Sequence, residues 1–158
     1  MAASAGTLWN IPEVRRAVGI EDGLSPEGIN RPDGMILCYP VITAGKFAHL
    51  GSAQKVSGHS ILTEEDIATF SLELRVDSTT APTFIWHTVA DNGVPVQNSL
   101  LFINALVAAK VPFEAHIFPE GPHGLALCNK ETSCGNDEFN VPHVECWSEL
   151  AVKWIRDF

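Results

Sequence analysis

Basic residues are scarce. Ten Lys and Arg stand against nineteen Asp and Glu, a net charge of −9 over 158 residues, and the cations nowhere form a run. Phosphate backbones and anionic membrane faces select clustered positive charge, so neither nucleic acid nor a membrane surface is expected as a partner. No apolar stretch is long enough to span a bilayer. The opening Met1-Ala2-Ala3-Ser4-Ala5-Gly6 lacks the basic and apolar regions of a secretory signal, which points to a cytoplasmic protein. Four cysteines, Cys38, Cys128, Cys134 and Cys146, could make two disulfides on number alone. Cys38 lies inside an apolar run, where a buried free thiol is the usual fate. Cys128, Cys134 and Cys146 fall late in the chain near His123 and His143, yet neither the Cys128–Cys134 nor the His143–Cys146 spacing matches a tight zinc knuckle. Free thiols in a reducing compartment are the favoured reading, and a small zinc site on Cys128, Cys134, His143 and Cys146 is the weaker alternative.

What the chain does contain is a hydrophobic content of 46%, enough at this length for one domain with a real core but not comfortably for two. The Ala-rich stretch from Met1 to Thr7 reads as the end of a helix. Trp9 to Gly23 reads as loop, punctuated by Gly19, Gly23 and Pro26. After the turn Pro32-Asp33-Gly34, Met35-Ile36-Leu37-Cys38-Tyr39 is apolar on both faces, as suits a strand covered on both sides of a parallel sheet, and Pro40 ends it. Residues 43–80 read as a surface excursion with a short helix, which Thr63 caps in a box with Asp66. Thr83 to Val89 is the second strand. Val96, Leu100, Ile103 and Val107 share one helical face, so Val96 to Lys110 is predicted to be an amphipathic helix. Phe113, Ala115 and Ile117 alternate with Glu114, His116 and Phe118 in a half-covered strand near a sheet edge. A polar, turn-rich segment from Cys128 to Val141 precedes a terminal helix whose apolar face is Trp147, Leu150, Ala151, Trp154, Ile155 and Phe158. Strands alternating with helices predict an α/β fold: about three parallel strands of a doubly wound sheet, incomplete, in a single partial domain over residues 1–158.

Two residues stand out against that frame. Asp91 opens the turn Asp91-Asn92-Gly93-Val94-Pro95 after the second strand, and His123 sits in Gly121-Pro122-His123-Gly124 after the third. An acid and then a histidine, each following its own strand, matches the last two members of a Ser…Asp…His triad. Acyl transfer by that route needs a serine oxygen deprotonated by imidazole, a carboxylate that fixes the imidazole tautomer, and N–H donors for the oxyanion. No Gly-x-Ser-x-Gly elbow occurs anywhere in the sequence. Each residue also has a plainer explanation: Asp-Asn-Gly favours turns whatever its chemistry, and a loop histidine often bonds only locally. Their order and placement favour an orienting acid and a general base. Ser4 is the sole local substitute for a nucleophile, but no strand enters it, so it reads as a helix-end residue. His87 reads as a strand residue packing or capping near the site, His116 as an exposed strand position, and His49, His59 and His143 as structural or surface. Three of Trp9, Trp86, Trp147 and Trp154 fall at core-like spacing, which favours packing over carbohydrate stacking. Glu64-Glu65-Asp66 suits the first turn of a helix, where carboxylates meet the positive end of its dipole.

The segments Gly34-Met35-Ile36-Leu37-Cys38-Tyr39-Pro40-Val41-Ile42, Trp86-His87-Thr88 with Asp91, Val94-Pro95-Val96 and Asn98-Ser99-Leu100, and Phe118-Pro119-Glu120-Gly121-Pro122-His123-Gly124-Leu125 together resemble the C-terminal half of the α/β-hydrolase esterases. The branch they look most like is that of the acetylesterases and xylan acetylesterases grouped with the prokaryotic lipase–esterase proteins. Ala2-Ala3-Ser4-Ala5-Gly6-Thr7-Leu8-Trp9 is similar to the tail of the helix that follows the nucleophile elbow in that family. The resemblance covers nearly the whole chain. It implies the C-terminal part of an α/β-hydrolase sheet beginning just after the elbow, without the serine or the oxyanion loop. It further implies serine carboxylesterase chemistry on a small or sugar-linked acetyl ester in the full-length form. Asp91 would be the acid and His123 the base, with no metal or organic cofactor, and the chain would be inactive alone. A complementing N-terminal half or a homo-oligomer would be its partner. The alternative is a non-catalytic, degenerate hydrolase module that binds a partner through the exposed sheet edge at Gly34–Ile42.

Overall fold

The computed structural model describes residues 1–20 and 27–157. Gly23 and Pro26, read as turn residues, and Phe158, read as part of the terminal apolar face, lie outside the described residues. Three parallel strands, β1 (Met35–Cys38), β2 (Thr83–Thr88) and β3 (Phe113–Phe118), form one sheet in the order β1-β2-β3. Seven helices surround it among the described residues: α1 (Ala2–Leu8), α2 (Pro12–Ala17), α3 (Leu50–Ser57), α4 (Glu64–Phe70), α5 (Gln97–Ala109), α6 (Pro142–Glu145) and α7 (Trp147–Arg156). None of them is long and apolar enough to cross a membrane.

β2 is the central strand and all six of its residues are buried. Its side chains divide by parity, as a pleated strand requires. Ile85 joins Met35 and Leu37 of β1, Ala3 of α1, and Phe102 and Leu106 of α5 on one face. Phe84 and Trp86 project to the other, where Val144 and Ala151 cover them together with Trp147, Leu150 and Trp154. Trp86 stacks on Trp147 at 5.1 Å between centroids, so these tryptophans do pack rather than present a sugar-binding surface. Burying Phe84 and Phe102 contributes on the order of 2–3 kcal/mol each. Both faces of the sheet are therefore covered, which explains why β1 and β2 read as apolar without alternation. α1 approaches β1 closely at Gly6, where a Cβ would collide with the Met35 side chain.

Several expectations need correction. The segment from Trp9 to Gly23 is not all loop. It contains α2, with Pro12 in its first turn, Glu13 beside it and Arg15 and Arg16 in the last turn, and Gly19 follows the helix at φ 76°. Those are helix start and stop signals, outweighed in the sequence by the lack of an apolar stripe. The stretch between Thr43 and Ser60 likewise holds α3. Its apolar residues Leu50 and Val56 are exposed, and its cap is His49, whose Nδ1 accepts from the Ser52 amide at 3.3 Å, so neither pattern nor cap residue announces it. Nor is residue span 43–80 wholly superficial, since Thr43, Ala44, Ala53, Ser71 and Leu72 are buried. In α5 the buried stripe is Asn98, Ser99, Phe102 and Leu106, while Leu100 and Val107 are exposed. Hydrophobic periodicity misses this phase because two polar residues, Asn98 and Ser99, occupy the inward face. In β3 the exposed residues are Phe113 and Ile117 and the buried one is Phe118, which meets Trp86 edge-on at 6.1 Å. Ile155 of α7 is also exposed.

The Asn98 side chain is fully buried and fully satisfied. Its Oδ1 accepts from the amides of Ile42 at 2.9 Å and Thr43 at 3.0 Å, and its Nδ2 donates to the carbonyls of Phe47 at 2.9 Å and Pro95 at 3.0 Å. One amide thus ties the chain leaving β1 to the start of α5. Asn98→Ala leaves the buried Ile42 and Thr43 amides and the Phe47 carbonyl without this partner, the Pro95 carbonyl keeping the Asn98 main-chain amide, and is expected to cost about 3 kcal/mol in urea melts; a loss under about 1 kcal/mol would show that water replaces the amide.

The capping box of α4 forms as expected. Thr63 Oγ1 accepts from the Asp66 amide at 3.1 Å, and Asp66 Oδ2 accepts from the Thr63 amide at 2.8 Å and from His59 Nδ1 at 2.8 Å. The Thr63 amide first, and His59 next, hold the Asp66 carboxyl below its ordinary value. A carboxylate with a depressed folded pKa stabilises the fold above its unfolded value, near pH 4, and loses that contribution as pH falls through the folded value. The melting deficit of Asp66→Asn against the parent is therefore expected to shrink between about pH 6 and about pH 3; a deficit constant with pH would refute it.

Candidate active site

The register of the sheet sets the site. Thr88 pairs with Phe118 at the C-terminal ends of β2 and β3, so the two strands stop level and their loops leave side by side. Two bonds then join the loops: the Val89 amide donates to the Phe118 carbonyl at 2.8 Å, and the Thr88 hydroxyl to the Gly121 carbonyl at 2.6 Å. Gly121 has φ 126°, and a Cβ there would meet the Leu125 side chain at 2.6 Å, so the turn needs glycine on both counts. Buried Leu125 anchors the far side of the loop in the core.

Asp91 and His123 come together across these loops. His123 Nδ1 donates to Asp91 Oδ2 at 2.8 Å. The other oxygen, Oδ1, accepts from the amides of Gly93 and Val94, each at 2.8 Å. The Asp91 side chain is fully enclosed, whereas the His123 side chain is 38% exposed. With Nδ1 committed, Nε2 is the ring nitrogen left to act as a base. Tyr39 packs edge-on against the His123 ring at 4.8 Å and against Trp86 at 5.0 Å, and its φ is 38°. A cavity of about 670 Å³ opens here, lined by His123, Tyr39, Ile36, Ser4, Val56 and Phe70 among others. Ser4 reaches that cavity from inside α1, a helical position without the strained strand-to-helix turn of an elbow.

His87 enters the site more directly than its sequence position indicates. It is fully buried. Its Nε2 lies 2.9 Å from the Val94 carbonyl and 3.2 Å from Asp91 Oδ2, and its Nδ1 lies 2.7 Å from Ser99 Oγ. Burial pushes its pKa below the ordinary histidine value, against the opposing pull of the Val94 carbonyl and Asp91. The His87–Asp91 spacing is visible in the sequence; the partnership with Ser99 depends on the phase of α5, which hydrophobic periodicity does not reveal. His116 is partly covered and pairs with Glu114 at 2.8 Å on β3. The four cysteines are free, and among the described residues no group of three or more His, Cys, Asp or Glu is placed to hold a metal ion. Cys128 turns into the core, where burial pushes its thiol up to about 11, while Cys134 and Cys146 are exposed. The set proposed for zinc is thus not gathered.

Comparison with known proteins follows the same outline. A family model described as the prolyl oligopeptidase family matches residues 52–134, a span that includes both Asp91 and His123. Endo-1,4-beta-xylanase B of Butyrivibrio fibrisolvens is 49% identical over 105 residues, 66% of this chain and 16% of that protein. Among solved structures, an acetyl ester-xyloside bifunctional hydrolase from Caldicellulosiruptor lactoaceticus is 42% identical with a TM-score of 0.68, covering 81% of this chain and 43% of its own. A carboxylesterase from Lactobacillus plantarum is 28% identical with a TM-score of 0.78, covering 98% of this chain and 53% of its own. The chain thus spans about half the length of these two structures.

A Cβ on Gly93 would sit 3.0 Å from His123 Cβ and 3.4 Å from its Cγ. Gly93→Ala is expected to push the ring away and stretch the bond to Asp91 beyond about 3.2 Å. NMR would register this as loss of the downfield Nδ1–H resonance, with little change in melting temperature. A retained resonance would mean that the loop yields instead.

Proposed function

Because the chain belongs to the prolyl oligopeptidase family and carries part of an α/β-hydrolase fold, we propose that it supplies the acid and base of a serine hydrolase acting on carboxylic esters. The single observation that carries this reading is the 2.8 Å bond from His123 Nδ1 to enclosed Asp91, with Nε2 left free beside a cavity. In the proposed reaction His123 Nε2 takes the proton of a serine hydroxyl as its oxygen attacks the ester carbonyl. The resulting imidazolium is held by Asp91 and passes that proton to the departing alcohol. A water, deprotonated at the same nitrogen, then attacks the acyl-serine, releasing the acid and restoring the serine. Asp91 accepts throughout: its neighbours are all N–H donors, so it orients the ring without taking its proton.

The family includes peptidases by name, but the relatives support an ester. The Caldicellulosiruptor protein is an acetyl ester-xyloside bifunctional hydrolase and the Lactobacillus protein is a carboxylesterase. On that basis we assign small or carbohydrate-linked acetyl esters as the substrates. The 158 residues hold no Gly-x-Ser-x-Gly, so the nucleophile in this scheme comes from polypeptide beyond them, either a joined N-terminal half or another chain. β1 ends the strand order and borders the cavity, which makes its open edge the place for that segment to pair.

Turnover of p-nitrophenyl acetate tests the proposal in two forms: the chain alone, and the chain fused to an elbow-bearing N-terminal half from a relative. The fusion is expected to hydrolyse the ester and the chain alone to match the buffer. His123→Ala or Asp91→Asn in the fusion is expected to lower kcat about 10⁴-fold. Equal rates in the parent and His123→Ala fusions would refute the assignment.

A further inference from the structure

The buried histidine beside the Asp91–His123 pair has a definite protonation state fixed by its neighbours. Both groups facing Nε2 of His87, the Val94 carbonyl at 2.9 Å and the Asp91 carboxylate at 3.2 Å, accept hydrogen bonds and cannot donate them. Nε2 therefore carries the proton. The group facing Nδ1 is the Ser99 hydroxyl at 2.7 Å, which donates to a bare imidazole nitrogen. Ser99 is itself fully buried on the inward face of α5, so the hydroxyl has no competing water. One carboxylate oxygen, Asp91 Oδ2, thus receives N–H donors from two imidazoles, His123 at 2.8 Å and His87 at 3.2 Å.

We propose that His87 is a positioning residue for the Asp91–His123 pair: locked by Ser99 as the neutral Nε2–H tautomer, it holds Asp91 Oδ2 from behind and limits how strongly that oxygen draws a proton onto His123. A carboxylate whose charge is shared among more donors stabilises an adjoining imidazolium less. Asp91 then orients His123 through Nδ1 while sharing its charge with His87. The titratable groups that face His87 are Asp91 and His123, and its remaining partners, Val94 and Ser99, carry no charge. Full burial acts in the same direction, since a second imidazolium here would sit beside His123 without solvent. The catalytic value of this arrangement rests on the proposed ester hydrolysis, but its protonation pattern does not.

The test is long-range ¹H–¹⁵N spectroscopy of the imidazoles in the 158-residue chain, between about pH 5.5 and about pH 8. His87 is expected to show the Nε2–H tautomer without protonating across that range. In His87→Leu the His123 midpoint is expected to rise by roughly 0.5–1 pH unit. His87→Gln, which returns an N–H donor, is expected to restore part of the shift and also serves if the leucine variant does not fold. The proposal is overturned if His87 protonates near its ordinary value in the parent, or if the His123 midpoint stays put in the folded variant. Failure of the esterase reading would register separately, as absent turnover in the fused protein with these titrations intact.

Discussion

A strand buried along its whole length must find partners for its backbone on both edges and apolar cover on both faces. β2 is that strand, and the rest of the chain is arranged around those four demands. β1 and β3 pair with its edges in parallel register. α5 covers one face through Phe102 and Leu106, and α7 covers the other through Trp147 and Ala151. Because parallel neighbours end at the same level, the loops that follow β2 and β3 emerge together at one end of the sheet. The meeting of Asp91 with His123 is thus a by-product of strand pairing, refined by the Thr88–Gly121 and Val89–Phe118 bonds.

Within the site, two histidines of identical chemistry are set to different tasks by their surroundings. His123 lies on a loop, touches the cavity and keeps one nitrogen free. His87 lies on the central strand, without solvent, with both nitrogens engaged. Asp91 connects the two and has no capacity left over, since each of its oxygens accepts two N–H donors. Such saturation explains why the carboxylate can be enclosed at all, because a buried charge is tolerated only when donors replace the lost water.

Three strands, the long helix between β2 and β3, the α4 capping box and the terminal helix are legible in the sequence because each carries a local signature. Apolar runs bounded by Pro and Gly mark the strands, Thr63 with Asp66 marks a helix start, and Trp147 through Trp154 mark a stripe. Asp91 and His123 are legible as candidates for a related reason: each follows a recognisable strand. What the sequence hides is anything that depends on a partner far along the chain. α3 has exposed Leu50 and Val56 where a stripe is sought, and a histidine cap. Asn98 and Ser99 look like solvent-facing residues, yet one binds the segment after β1 and the other binds His87. Buried polar residues are placed by their hydrogen-bond partners, and those partners cannot be inferred from periodicity.

Tyr39 is caught between opposite requirements. Its backbone, at φ 38°, occupies a region where any side chain costs on the order of 1 kcal/mol relative to glycine. Its ring, however, is wedged between Trp86 and His123, and its hydroxyl accepts from the Ala126 amide at 3.3 Å. Glycine would relax the main chain but leave the imidazole without a wall; a smaller side chain would keep the strain and lose the wall as well. Few side chains can satisfy both, so the choice of residue here is set jointly by ring shape and by the hydroxyl.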